Sequence, residues 1–147
     1  MQKSSVVMLV DDSADDLELM RVAFKRAGVR NPIAQAYSGE QAIAYLAGEG
    51  QYADRQQFPL PRLIITDLKM PGLDGFELLK WLREHPAFEG VPKIVLTTSG
   101  HDEDRKQALA SGCSAYFVKP NELEGLVNLV RAINSDWISQ HCPVTVS

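Results

Sequence analysis

The sequence predicts a single α/β domain built on one parallel sheet, with helices on both faces of the sheet. Five short, largely apolar runs alternate along the chain with segments whose apolar residues recur at helical spacing. The 147 residues are enough to bury one core. Hydrophobic residues make up 45% and charged residues 23% of the chain, so a globular domain is favoured over a disordered one.

The predicted strands have the composition expected for strands that are covered on both faces of a parallel sheet. They span residues 6–10, 33–36, 63–65, 93–97 and 115–118. A polar segment rich in glycine and proline, residues 48–61, precedes the third strand and is predicted to be a long loop.

The predicted helices are bounded by residues that favour helix ends. Ser13 is predicted to cap the first helix, and Ser38 begins a Ser-x-x-Gln capping box for the second. Acids from Asp102 onwards suit the positive end of the fourth helix. Trp137 lies on the apolar stripe of the last helix and is expected to cover the core rather than to lie in a dimer contact. The helices are expected to end at Gly28, at Gly48, before Pro86, at Gly112 and near Trp137.

Alternating strands and helices of this kind predict a doubly wound, flavodoxin-like (βα)5 sheet with strand order 2-1-3-4-5. The carboxyl ends of all strands in a parallel sheet lie on the same edge, where ligands bind. Polar residues follow four of the predicted strands: Asp11 and Asp12, Asp67, Thr97, and Lys119. Since the first and third strands are neighbours in this order, three carboxylates are expected to meet in one crevice.

This grouping suits phosphoryl transfer to Asp67. Three close carboxylates repel one another unless a cation lies among them, and their hard oxygens suit Mg²⁺. A carboxylate can then act as the nucleophile towards a phosphoryl group. Lys119 can neutralise the phosphoryl oxygens, and the Thr97 hydroxyl can donate a hydrogen bond to one of them. Each signal is weak alone, because acids often cap helices and a Lys-Pro pair is usually a loop; their coincidence at four strand ends is specific.

Composition excludes several other classes of protein. A net charge of −4 and a pI near 5.3 argue against a nucleic-acid partner. No apolar run approaches the roughly 18 residues that a membrane span needs, and the first residues lack a signal peptide, so no membrane partner and a cytoplasmic location are expected. Cys113 and Cys142 are expected to be reduced thiols, and the scattered histidines suggest no metal cluster.

The motifs at the strand ends resemble those of the response-regulator receiver family, the chemotaxis-regulator type of domain. They are the Asp11-Asp12 pair, "TDLKMPGLDGFELL" around Asp67, "KIVLTTS" with Thr97, and "AYFVKP" with Tyr116 and Lys119. The resemblance extends from Val6 to about Trp137. It implies that residues 1–147 form one receiver domain with its core at about 6–140 and no effector domain, and that the chain is a phosphoacceptor signalling protein rather than an enzyme for other substrates.

The resemblance also implies a role for each matched residue. Asp67 would accept the phosphoryl group, and Asp11, Asp12, Asp67 and the main-chain carbonyl of Lys69 would hold Mg²⁺. Thr97 would move towards the phosphoryl group and Tyr116 would swing inwards behind it. The surface of the fourth helix, fifth strand and fifth helix would then change its partner preference, by a shift between conformers.

A finer resemblance, to phytochrome-associated single-domain response regulators, is carried by four segments. These are "RNPIAQAYSGEQAIAYL", the tyrosine-containing loop before "PRLIITDL", "VLTTS" and "DWISQHCPV". It implies a light-sensing histidine kinase as phosphodonor and a homodimer. The output would be either transfer to a histidine phosphotransfer protein or docking on a target.

Two positions beside the site depart from common choices in the family. Lys69 places a cation two residues after the acceptor, where it could pair with Asp67 or the phosphate, or simply point into solvent. Ser99, two residues after Thr97, is small and is expected to leave the phosphate open to water. Both residues are therefore candidates for tuning the lifetime of the aspartyl phosphate.

Three other functions are weighed against this one. An enzyme of the haloacid-dehalogenase type needs a second acid two residues after its nucleophile, where this chain has Lys69. A flavin-binding carrier needs a phosphate-binding loop after the first strand, where Asp11 and Asp12 would repel an anion. A receiver fold that acts as an interaction module without being phosphorylated remains as the alternative.

Overall fold

Strands and helices alternate along residues 5–142, the part of the chain that the computed structural model describes. The strands are β1 (Val7–Val10), β2 (Ile33–Ala36), β3 (Leu63–Thr66), β4 (Lys93–Thr97) and β5 (Ala115–Val118). The main helices are α1 (Ala14–Arg26), α2 (Gly39–Ala47), α3 (Gly75–Arg83), α4 (Asp102–Ala110) and α5 (Leu123–Ile133). Short 3₁₀ turns occupy Gly50–Ala53 and Pro86–Phe88, and a π-helical turn, Asn134–Ile138, leads into a last short helix, Ser139–His141.

The strands form one parallel sheet in the order β2-β1-β3-β4-β5, so the predicted fold class and strand order are confirmed. Val10 at the end of β1 pairs with Ala36 on one side and with Thr66 on the other. This register brings the ends of the three strands level, and the residues that follow β1 and β3 therefore start from adjacent positions.

Alternate residues of each strand face opposite layers of helices. Val7, Leu9 and Ile65 pack with the apolar faces of α1 and α5. Met8 and Ile64 point the other way and pack with α2 and α3, and a smaller cluster continues that layer to α4. The sheet is buried on both faces, which explains why the strand sequences are nearly continuous apolar runs.

The helix starts confirm some predictions and correct others. The Ser13 hydroxyl accepts the main-chain N–H of Asp16, as expected for an N-cap. Ser38 likewise accepts the N–H of Gln41. The Gln41 side chain, however, accepts the N–H of Tyr37 instead of that of Ser38, so the second bond of the predicted capping box forms with the residue before the N-cap. At α3 a complete capping box, which was not predicted from the sequence, joins Asp74 to the residue three positions later.

The last helix was expected to run regularly to about Trp137, but it changes its winding before that residue. The helix α5 ends at Ile133, and the wider π-helical turn that follows places Ile138 inside the core, where it is 1% exposed. Trp137 is partly buried against the same core, so its expected role as a cover of the core is confirmed.

The long connection after α2, residues 48–61, contains the 3₁₀ turn Gly50–Ala53 and is otherwise the loop that was predicted. Defined contacts tie it to the domain. The Arg55 guanidinium donates to the carbonyls of Tyr45 and Phe58, at 2.9 and 3.2 Å. The rings of Tyr45, Tyr52 and Phe58 pack together with centroids 5.0–5.9 Å apart. These contacts hold the connection against α2.

Both cysteines are buried free thiols, which agrees with the sequence expectation. Burial raises the pKa of the Cys142 thiol to about 11, so this thiol is protonated at neutral pH. Over residues 5–142, every helix is too short or too polar to cross a lipid bilayer.

The two ends of the described chain are joined by one buried side chain. The Asn31 amide nitrogen donates to the carbonyl of Ser5 at 2.8 Å and to the carbonyl of Cys142 at 2.7 Å. Asn31 lies just before β2 and is 8% exposed. It therefore fastens the residues before β1 and the end of the last helix to the same point of the sheet.

Replacing Asn31 with alanine should lower the free energy of unfolding by about 1–3 kcal/mol, because two carbonyls lose their donor in a buried place. Urea denaturation followed by circular dichroism measures the change. Asn128→Ala is the matched control, since that exposed amide contacts Arg131 at the surface and should change stability by less than about 0.5 kcal/mol. Equal stability of the two variants would show that Asn31 does not fasten the chain ends.

Candidate functional site

Three of the predicted site residues extend the sheet one residue beyond the strands that carry them. The main-chain N–H groups of Asp11, Asp67 and Lys119 donate to the carbonyls of Ala36, Val10 and Thr97, at 3.1, 2.9 and 2.7 Å respectively. Because these bonds continue the strand ladders, the three side chains start from fixed positions at the carboxyl edge. The crevice predicted there is therefore formed by residues whose backbones are bonded into the sheet.

The three predicted carboxylates do come together. Asp11, Asp12 and Asp67 each offer one oxygen, and these oxygens all lie within 4.8 Å of one another. Asp11 and Asp67 are buried, whereas Asp12 is exposed, so the group is closed towards the core and open towards solvent. Oxygen ligands at this spacing, with room for waters on one side, suit a hard divalent cation.

Lys119 lies inside this group of acids. Its ammonium nitrogen is 2.7 Å from Asp11 Oδ2 and 3.0 Å from Asp67 Oδ2. A third carboxylate, Asp16 on α1, approaches the same nitrogen at 2.8 Å. The side chain of Lys119 is only 13% exposed, so these three contacts replace most of the water around its charge.

Burial and charge act in opposite directions on these groups. Burial disfavours the charged form of Lys119, but its hydrogen bonds to Asp11 and Asp16 and the charge of Asp67 prevail and hold the pKa of the ammonium above its usual value. For Asp11 burial prevails, so the pKa of that carboxyl is raised although Lys119 and the N–H of Ser13 lower it in part. Lys119 is thus a permanent cation within the crevice.

The oxygens that do not face Lys119 are held by the main chain. Asp67 Oδ1 accepts the N–H of Leu68 at 2.7 Å, and Asp11 Oδ1 accepts the N–H of Ser13 at 2.9 Å. The Thr66 hydroxyl donates to the carbonyl of Asp67 at 2.8 Å. Each carboxylate therefore has a fixed orientation, with one oxygen bound to the backbone and the other turned into the crevice.

The loop after Asp67 needs a glycine at the start of α3. Gly75 donates its N–H to the carbonyl of Leu68 at 2.8 Å, and a Cβ at Gly75 would collide with the main-chain oxygen of Asp67. Only a residue without a side chain permits the helix to begin this close to the acceptor loop. The "DG" of the sequence motif thus sets the distance between α3 and Asp67.

Thr97 and Tyr116 are linked through Ser99. Thr97 is completely buried, and its hydroxyl accepts the N–H of Ser99 at 3.4 Å. The Tyr116 hydroxyl donates to the carbonyl of Ser99 at 2.7 Å, and the Tyr116 ring packs partly buried against the cluster around α4. A displacement of Thr97 or of the loop that carries Ser99 would therefore move the carbonyl to which the Tyr116 hydroxyl is bound.

Lys69 turns away from the acceptor. Its ammonium lies 3.3 Å from Asp104 Oδ1 on α4 and 5.5 Å from the ring centre of Phe76, instead of pairing with Asp67 or pointing freely into solvent. The ion pair with Asp104, which depends on the packing of α4, therefore takes the place of the expected pairing with Asp67, and pairing with the phosphate stays a prediction.

Sequence reasoning missed two acids that contact the site residues. Asp16 and Asp104 have an ordinary explanation as acids at the positive ends of α1 and α4, so neither was predicted to be a site residue. The third position of α1 lies near the carboxyl edge of the sheet, so an acid there is a signal for a partner of Lys119. The contact of Asp104 with Lys69 depends on tertiary packing, and the sequence carries no signal for it.

The comparison with known proteins agrees with this geometry. Residues 7–131 match the family model of the response regulator receiver domain. The chain belongs to the response regulator receiver domain family. It is a receiver of two-component signalling, a pathway in which response regulators receive a phosphoryl group from histidine kinases.

Individual relatives are similar over almost the whole chain. Response regulator Rcp1 of Synechocystis is 31% identical over 133 residues, which cover 90% of this chain and 88% of that protein. A crystal structure of the phosphorylated cyanobacterial phytochrome response regulator RcpA has a TM-score of 0.85 and 30% identity, and the match covers 94% of this chain and 96% of that one. The Mn²⁺-bound form of Rcp1 has a TM-score of 0.80 and 30% identity, with 97% and 98% covered.

Adding a divalent cation should reverse which protein, the wild type or Asp12→Asn, is the more stable. Asp12→Asn should be more stable than the wild-type protein in EDTA, because it removes repulsion among the acids, and should gain less stability when Mn²⁺ or Mg²⁺ is added. At a cation concentration ten times the dissociation constant, binding should stabilise the wild type by about 1.4 kcal/mol. Thermal unfolding with and without the cation measures both effects.

Asp15→Asn is the matched control, because Asp15 is an exposed acid in the first turn of α1, three residues after Asp12, and lies outside the group of ligand oxygens. It should keep the wild-type response to the cation. The response should also weaken as the pH falls, and earlier than for an ordinary carboxylate, because the pKa of Asp11 is raised. A cation response that survives in Asp12→Asn would remove Asp12 from the site.

Proposed function

We propose that this chain accepts a phosphoryl group on Asp67 from a histidine kinase in a Mg²⁺-dependent reaction, and thereby switches its binding to a partner. The observation that carries the proposal is the position of the Asp67 carboxylate. It is buried, within 4.8 Å of the oxygens of Asp11 and Asp12, and 3.0 Å from the ammonium of Lys119. A carboxylate in this setting is oriented, charge-compensated and reachable from the solvent side.

The reaction would be a displacement at phosphorus. A carboxylate oxygen of Asp67 forms the new P–O bond while the P–N bond to the kinase imidazole breaks, and the imidazole keeps the electron pair. The N–H of Leu68 fixes one carboxylate oxygen, so the other is presented to the donor. Lys119 lies where it would neutralise a phosphoryl oxygen, which is the main help that such a loose transition state needs.

The charges of the crevice explain the need for a cation. Asp11, Asp12, Asp16 and Asp67 carry four negative charges and Lys119 one positive charge, so the crevice repels an incoming phosphoryl group. Asp11, Asp12, Asp67 and the carbonyl of Lys69 would hold Mg²⁺. When bound, the ion supplies the positive charge that offsets the phosphoryl oxygens.

The switch would pass through Thr97 and Tyr116. The Thr97 hydroxyl accepts only a long hydrogen bond of 3.4 Å from the N–H of Ser99, so it can turn to donate its own proton to a phosphoryl oxygen. Movement of that segment would be passed to Tyr116, whose hydroxyl is bound to the Ser99 carbonyl. The exposed side chains of Leu109 and Val118, on α4 and β5, lie on the surface that would then change.

We further propose a phytochrome-type histidine kinase as the phosphodonor. The support is the similarity over most of both chains to RcpA, described as a phytochrome response regulator. The output would be a histidine phosphotransfer protein or another target, acting in the cytoplasm, and the homodimer stays a prediction. By this account the chain is a signalling protein whose catalysis is limited to its own phosphorylation and dephosphorylation.

The first test is phosphorylation by acetyl phosphate with Mg²⁺, read by intact mass. The wild-type protein should gain one phosphoryl group that is labile to base, and Asp67→Asn should gain none, because the nucleophile is lost. Asp15→Asn, the exposed acid on α1, should behave as the wild type. Lys119→Met should lower the rate by about 10²-fold or more, as found for the loss of one charge-stabilising donor.

Two outcomes would overturn the proposal. One is that the wild type gains no phosphate from acetyl phosphate or from a histidine kinase; the interaction module that works without phosphorylation would then be the better account. The other is that Asp67→Asn is labelled as strongly as the wild type, which would place the acceptor elsewhere.

The second test concerns Thr97. With beryllofluoride and Mg²⁺, the amide resonances of α4, β5 and the Tyr116 region should shift in the wild type, and the shifts in Thr97→Ala should fall by more than half, because the hydroxyl that senses the anion is absent. Thr97→Ser retains the hydroxyl and should restore the shifts. Thr98→Ala, the exposed neighbour, is the control. Full shifts in Thr97→Ala would exclude Thr97 from the switch.

A further inference from the structure

The carboxylate of Asp104 is shared by two loops of the candidate site. Its Oδ1 lies 3.3 Å from the ammonium of Lys69, and its Oδ2 accepts the hydroxyl of Ser99 at 2.5 Å. Lys69 comes two residues after Asp67, and Ser99 comes two residues after Thr97. One side chain on the first turn of α4 therefore joins the loop that carries the acceptor to the loop that carries the sensing hydroxyl.

The bond from Ser99 to Asp104 also shapes the backbone around it. The Ser99 hydroxyl accepts the N–H of His101 at 3.3 Å while it donates to Asp104. The carbonyl of the same residue accepts the Tyr116 hydroxyl. Asp104, Ser99 and Tyr116 thus form a continuous chain of hydrogen bonds from α4 to β5.

We propose that Asp104 is a positioning residue that ties these two loops together and stabilises the conformer in which Tyr116 is bound to the Ser99 carbonyl. The inference deepens the proposed function, on which it rests, because a Tyr116 that packs on the core and is bound to the Ser99 carbonyl is in the inward position that the proposed switch requires. The tie therefore favours that position before any phosphoryl group is bound.

The strength of this tie follows from its chemistry. Hydrogen bonds to an ionised carboxylate are stronger than those between neutral groups. The Ser99 hydroxyl lowers the pKa of Asp104, and the Lys69 ammonium lowers it further, so the carboxylate is charged at neutral pH. The Asp104 side chain is 15% exposed and Lys69 is 59% exposed, so water weakens the ion pair more than the bond from Ser99. Ser99 is therefore expected to carry most of the coupling.

The same contact determines where the Lys69 ammonium lies. With Asp104 present, this charge is drawn towards α4 and stacks over Phe76. Without Asp104 it becomes free to reach the acceptor side. The lifetime effect assigned to Lys69 from the sequence thus depends on a residue 35 positions further along the chain.

The inference is tested first on the unphosphorylated protein. In protein labelled with 3-fluorotyrosine, the resonance of Tyr116, assigned by its loss in Tyr116→Phe, reports the environment of the hydroxyl. Removing the tie in Asp104→Ala should raise the population of the conformer without the Ser99 bond by about threefold to tenfold, so the resonance should move or broaden.

Asp102→Ala is the matched control. Asp102 lies on the same turn of α4, its side chain is 84% exposed, and it pairs with Lys106 at 3.9 Å. Its Tyr116 resonance should coincide with that of the wild type. A Tyr116 resonance in Asp104→Ala that also coincides with the wild type would overturn the inference.

A second pair of variants separates positioning from a general loss of stability. Ser99→Ala removes the donor to Asp104 but keeps the carbonyl that binds Tyr116, so its effect on the Tyr116 resonance should resemble that of Asp104→Ala. The double variant should show little further change, because both substitutions break the same tie. Asp104→Asn keeps an oxygen acceptor without the charge and should lie between the wild type and Asp104→Ala. Additive effects in the double variant would contradict a shared tie.

The phosphorylation reaction gives an independent readout. If Asp67 is phosphorylated, the initial rate with acetyl phosphate should fall in Asp104→Ala in proportion to the loss of the Ser99-bound population measured at Tyr116. If the Tyr116 resonance shifts in Asp104→Ala but the wild type accepts no phosphate, the tie is supported and the proposed function is rejected. If the wild type is phosphorylated but its Tyr116 resonance is the same in Asp104→Ala, the proposed function is supported and the tie is rejected.

Discussion

The ammonium of Lys119 is the interaction on which the candidate site depends. Asp11, Asp16 and Asp67 are close enough to repel one another, and each of them lies within 3.0 Å of this one nitrogen. With Asp12 included, the crevice still carries an excess of negative charge. The protein thus holds its acids in place with a single fixed cation, and under the proposed function a bound metal ion would offset the remaining negative charge.

The close packing of these acids persists because the sheet holds their backbones in place. The backbones of Asp11, Asp67 and Lys119 are bonded into the strand ladders, so repulsion among the side chains cannot be relieved by moving the chain. The register of Val10 with Ala36 and Thr66 places these positions side by side. The apolar layers on both faces therefore stabilise a charge distribution that the site alone would not hold.

Some of this could be predicted from sequence and some could not. Short apolar runs followed by Asp11, Asp67, Thr97 and Lys119 identify the strand ends, and parallel topology then brings them together without any knowledge of side-chain contacts. The contacts of Asp16 and Asp104 depend instead on how α1 and α4 pack, and acids at helix starts have an ordinary explanation in the helix dipole. The π-helical turn after α5 likewise arises from packing, since Ile138 must reach the core.

Asn31 has a consequence for protein engineering. Its amide holds residues 5 and 142 at the amino edge of the sheet, on the side opposite to the candidate crevice. Residues 5 and 142 could therefore be joined by a short linker in a circularly permuted domain, with new termini opened in an exposed connection. Fluorescent or affinity modules attached near residues 5 and 142 would likewise extend away from Asp67, which would leave the crevice accessible to a kinase.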